Sequence, residues 1–176
     1  MATSPTSPAP VPASDPGARR DEPLRLALRD GPRSRAVDGA WWPRSRDLAV
    51  EVADLVDHFP SDVGRISRLL FSRPDWEPGD DGESVHAVRA GRGMVKVGSF
   101  PDDDTHVVVL KMSTGEPLRL LVVPADLDAE LAPRVMALAA DATNTRSPRS
   151  LLGLPGHDLT RAWRATWDDD APLATR

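Results

Sequence analysis

The stretch HVVVLKMSTGEPLRLLVV, residues 106–123, decides the fold. Two apolar runs, 106–112 and 117–123, flank Ser113-Thr114-Gly115-Glu116, the pattern of a β-hairpin. In the second run Leu118, Leu120 and Val122 share one face, while Leu121 and Val123 share the other. Apolar residues on both faces place this strand centrally in a sheet. Upstream, SVHAVRAGRGMVKVGSF (84–100) reads as another hairpin, turning near Ala90-Gly91-Arg92-Gly93, and GRISRLLFS (64–72) as a further strand. Leu24, Leu26 and Leu28 alternate with polar or small residues, as in a half-buried strand.

Two helices complete the pattern. Leu48, Val52, Leu55, Val56 and Phe59 fall on one helical face, with Ser45 or Asp47 as N-cap and Pro60 as stop. Leu131, Val135, Leu138, Ala139 and Ala142 form the apolar side of a second helix, capped by Asp126 or Asp128, with Pro133 in its first turn. The expected fold is α+β: a curved, mostly antiparallel sheet of five or six strands with two main helices on one face. Residues 1–22 are expected to be a disordered Pro/Ser/Ala-rich tail and 23–144 a single domain. Residues 145–176 are expected to be a linker and a short amphipathic helix carrying Leu159, Trp163 and Trp167, with a loose acidic end.

Composition narrows the function. The 176 residues suffice for one core, and a net charge of −5 argues against broad nucleic-acid binding. Without cysteine, disulfides, thiolate catalysis and thiolate metal sites are excluded. The beginning of the chain has neither the basic start nor the apolar run of a signal peptide, and nothing approaches a membrane span, so a cytoplasmic protein is expected. The 22 basic residues include only two lysines, and there is one Ile, one Asn and no Tyr, as a GC-rich coding sequence produces.

The segment DGAWWPRSRDL, Asp38–Leu48, is the most distinctive. Asp38-Gly39 favours a turn. Trp41 and Trp42 point to opposite sides of an extended chain, so one plugs the core and the other lies near the surface. Arg44 and Arg46 sit at the positive end of a helix dipole, which disfavours a cation by about 0.3–1 kcal/mol. Asp47 and Asp38 answer them internally, or a small anion does from outside. His106 follows Asp102, Asp103 and Asp104, and Asp104 or Asp38 would be its orienting acid if it served as a general base. No dinucleotide loop, P-loop, nucleophile elbow or zinc spacing occurs.

With GRISRLL and LLVVPAD, this segment makes residues 24–144 resemble an uncharacterised actinobacterial family, domain of unknown function 5994. The resemblance implies no activity and no cofactor. The leading expectation is a binding or regulatory module recognising a small anion or an acidic partner segment through Asp38, Trp41, Trp42, Arg44, Arg46 and His106, with no metal and no cofactor. One alternative is a small hydrolase or transferase using His106 with an Asp. The other is a structural protein that self-associates through Trp163 and Trp167.

Overall fold

The structure, a computed structural model, describes residues 22–34, 36–77, 85–100 and 106–153. Seven strands form one sheet: β1 (Leu26–Leu28), β2 (Gly39–Trp41), β3 (Ile66–Phe71), β4 (Ala87–Ala90), β5 (Gly93–Ser99), β6 (Val107–Met112) and β7 (Pro117–Val122). Three helices accompany them: α1 (Leu48–His58), α2 (Leu131–Ala140) and the single turn α3 (Pro148–Leu151). Residues 1–21 of the expected 1–22 tail, Asp104 and the Trp163/Trp167 segment lie outside the described residues.

The sheet order is β1-β2-β7-β6-β3-β5-β4. Both hairpins form as read, β4 with β5 and β6 with β7. β6 and β7 are adjacent near the middle, as apolar residues on both faces require. Four pairings are antiparallel, but β2–β7 and β3–β5 are parallel, so the sheet is mixed. The seventh strand is β2, made from the tryptophan segment itself. Its first residue, Gly39, has φ +151°, and a β-carbon there would collide with the carbonyl oxygen of Ala27. Glycine is required for close approach of β1, and the Asp38-Gly39 pair starts a strand where a turn was expected.

The two helices lie on opposite faces, not on one. Trp41, Leu69, Val108, Leu110, Leu118, Leu120 and Val122 pack with Leu48, Val52, Leu55, Val56 and Phe59 of the α1 segment. Ala40, Leu70, Val107, Val109, Leu121 and Val123 pack with Ala132, Met136 and Ala139 of α2 and with Leu151 of α3. The period-2 alternation of β6 and β7 therefore feeds two cores.

The buried side of α2 also differs from the expected one. Ala132, Met136 and Ala139 face the sheet, while Leu131 and Leu138 are about half exposed. Small residues on the inner face let α2 lie close over β1 and β2. Asp128 Oδ1 accepts from the amides of Glu130 and Leu131 at 2.8 and 3.3 Å, satisfying donors that the first turn leaves open. α1 is capped by Asp47, whose Oδ1 accepts from the Val50 amide at 3.1 Å.

Candidate functional site

The loop from β2 to α1 disperses the six candidate residues. Trp41 is 1% exposed and stacks on Trp76 with ring centroids 5.4 Å apart and planes tilted by 31°. Trp42 projects to the opposite face, packs beside the α2 core, and carries the Arg25 guanidinium 4.2 Å above its ring. The opposed tryptophans thus occur as read, and the outer one stacks on an arginine of its own chain.

Arg44 is held within the fold. Its guanidinium contacts Glu22 at 2.7 Å and Asp54 at 3.4 Å, and donates to the Pro23 carbonyl at 2.7 Å. Its backbone amide donates to Glu51 Oε2 at 3.0 Å, while the Ser45 hydroxyl donates to Glu51 Oε1 at 2.7 Å. Glu51 is 2% exposed, so this carboxylate is a buried counter-charge tucked into the first turn of α1. The Arg44 cation is answered by Glu22 and Asp54, while Glu51 takes the Arg44 amide and the Ser45 hydroxyl and Asp47 caps the helix. Asp38 takes no part. Its oxygens accept from the amides of Ser34 at 2.8 Å and Arg119 at 2.9 Å.

Arg46 and His106 converge on Asp75. Arg46 Nε donates to the Asp75 carbonyl at 3.4 Å, and the Glu77 amide donates to the Arg46 carbonyl at 3.0 Å, so the loop is zipped to residues 75–77. His106 enters β6 with φ +47°, a left-handed conformation uncommon outside glycine. Its carbonyl accepts from the Val122 amide at 2.8 Å, which anchors this backbone to β7. His106 Nδ1 lies 2.6 Å from Asp75 Oδ1, the two side chains being 14% and 5% exposed. Two bare acceptors would repel at that separation, so Nδ1 carries a proton. The approach is bent away from a linear hydrogen bond.

Arg46, Asp75 and His106 border a cavity of about 180 Å³, together with Pro43, Ser45 and Pro124–Asp126. The second oxygen of Asp75, Oδ2, is buried and accepts no hydrogen bond from the described residues. A buried carboxylate oxygen left that way costs free energy. Asp75 was not singled out from the sequence. It sits in a one-turn 3-10 helix, Arg73–Asp75, next to Trp76, and no local pattern ties it to a histidine 31 positions later.

Among the described residues no group of three or more His, Asp or Glu is arranged to hold a metal ion, and no helix is long and apolar enough to cross a membrane. No curated protein and no solved structure matches this chain. The model of a family of unknown function, DUF5994, matches residues 25–139, which span β1 to the last turn of α2. The match covers the whole sheet and both main helices, and the chain belongs to this family of unknown function.

Proposed function

We propose that the protein is a binding module for a small polar molecule, taken up in the cavity between Arg46, Asp75 and His106. The observation that carries this reading is Asp75 Oδ2, a buried acceptor without a donor among the described residues, on a residue that borders the cavity. A hydroxyl or amine on the ligand would supply the donor. The charge of Arg46 beside it favours an anionic group on the same molecule, so hydroxy acids and amino acids are the favoured class. The cavity, about 180 Å³, is smaller than the roughly 300–1,000 Å³ of sites for drug-sized ligands. Only Arg46 and His106 of the six sequence candidates border it, so the recognition element is narrower than the Trp41–Arg46 loop.

Thermal-shift and calorimetric titration with hydroxy acids, amino acids and inorganic phosphate tests this. Asp75→Asn should weaken binding at least about tenfold, the worth of one hydrogen bond to a charged group. Arg44→Ala should leave affinity unchanged, because Arg44 faces elsewhere. A ligand bound equally well by wild type and Asp75→Asn overturns the proposal.

The short His106–Asp75 contact favours a second reading, a hydrolase or transferase with His106 as general base. Its orienting acid would be Asp75 in place of Asp38, whose oxygens serve Ser34 and Arg119. The bent contact counts against it, since a base is best oriented by a linear Nδ1–H bond. Turnover of an activated ester that disappears in both His106→Ala and Asp75→Asn would favour this reading over binding alone.

A further inference from the structure

Negative charge outweighs positive around the 180 Å³ cavity. Two carboxylates border it, Asp75 and Asp126, against one guanidinium, that of Arg46. The Asp75 side chain is 5% exposed; its Oδ1 lies against His106, while its buried Oδ2 has no donor among the described residues. Asp126 is exposed, and its carboxylate makes no hydrogen bond or ion pair with a described residue. A turn fixes its place. The Leu127 amide donates to the Pro124 carbonyl at 3.0 Å, closing Pro124–Leu127 just after β7 with Asp126 in third position. The remaining walls do not redress the balance. Pro43, Val122, Pro124 and Ala125 have no side-chain donor, and the Ser45 hydroxyl donates to Glu51 Oε1 at 2.7 Å.

With this cavity as the binding site, on which the inference rests, we propose that the ligand carries a primary amine and that the protein selects α-amino acids over the matching α-hydroxy acids. A hydroxyl brings one hydrogen and no charge. It can serve Asp75 Oδ2, but it leaves the excess of negative charge unanswered. An ammonium group brings three N–H donors and a positive charge. One donor goes to Asp75, and the charge acts on Asp126 as well. The cavity, about 180 Å³, is roughly 7 Å across if taken as a sphere, less than the Debye length of about 8 Å. A charge anywhere inside it is therefore felt by both carboxylates. The carboxylate of the same amino acid falls to Arg46. A plain anion such as phosphate gains from Arg46 alone and is repelled by the two aspartates. Asp75 thus holds the amine in the buried part of the site, and Asp126 is a specificity-determining residue on its exposed side.

Calorimetric titration of the full chain with matched pairs tests this: glycine and glycolate, alanine and lactate, serine and glycerate, aspartate and malate. The members of each pair differ only in an ammonium or a hydroxyl group on the same carbon. In the pair that binds best, the amino acid should bind about tenfold more tightly than the hydroxy acid. Asp126→Asn keeps a side chain that suits the turn. It should cut that preference about threefold by weakening the amino acid alone, the scale of one exposed ion pair. A hydroxy acid bound as tightly as its amino partner overturns the inference while leaving the cavity as a binding site. A preference undiminished in Asp126→Asn overturns it too. Absence of binding by every member of the four pairs overturns it together with the binding reading.

Discussion

Asp38 and Arg119 clasp each other through main chain and side chain across 81 positions of sequence. The Asp38 amide donates to the Arg119 carbonyl at 2.7 Å, and the Arg119 amide returns a bond to Asp38 Oδ2 at 2.9 Å. The Arg119 guanidinium then reaches the Ala36 carbonyl at 2.6 Å. Burial lowers the pKa of Arg119 from its ordinary value, and the charge of Asp38 opposes that shift. This clasp fixes the start of β2 against β7, where the two strands run parallel and no hairpin can set the register. Asp38→Ala removes the acceptor of two amides and the counter-charge of a partly buried cation. It should destabilise the fold by about 3–5 kcal/mol in chemical denaturation.

The two adjacent tryptophans should differ sharply in cost. Trp41 is fully buried against Trp76, and Trp41→Ala should cost about 3–5 kcal/mol. Trp42 is half-buried under Arg25, and its cation–π contact is worth about 0.5–1 kcal/mol. Trp42→Ala should therefore be clearly the milder change, and urea midpoints of the two variants check the order.

Glu51 links the loop to its helix. Glu51→Ala strips the acceptor from the Arg44 amide and the Ser45 hydroxyl in a buried setting. An expected loss of about 1–3 kcal/mol follows, because those donors are left without partners. Glu51→Gln keeps one acceptor oxygen and should recover part of it, as differential scanning calorimetry would show.

Asp141 ends α2 by accepting from both the amide and the hydroxyl of Thr143 at 2.6 Å, and these bonds hold its carboxyl below its ordinary pKa. A depressed folded-state pKa stabilises the fold above the unfolded value, near 3.9, and that contribution disappears as pH falls through the folded value. Wild type should thus exceed Asp141→Ala in stability at neutral pH, with the gap closing below about pH 4. A gap that is unchanged at pH 3 contradicts this linkage.

Local pattern made most elements legible. Alternation revealed β1 and the hairpins, and 3.6-residue spacing gave α1 the face it buries. It failed at β2, because Asp38-Gly39 before two bulky residues has the composition of a turn. Only the approach of Ala27 shows why glycine is needed there. It failed in part at α2, where Leu131 and Leu138 outweighed Ala132 by size, although close packing selects the small residue.

The site divided in the same way. The sequence determined that Trp41 and Trp42 take opposite sides and that Ser45 or Asp47 caps a helix, Asp47 being the one that does, because backbone geometry narrows both within a few residues. It determined that cations crowd the start of α1 and need an answer. Tertiary structure alone decided that Asp54 and Glu22 answer Arg44 and that Asp38 belongs to Arg119. It alone brought Asp75 to His106. Charge and hydrogen bonding act over a few ångströms of space, and which residues share that space depends on strand order. Strand order is set by pairings such as β2 with β7, which leave no local mark on the chain.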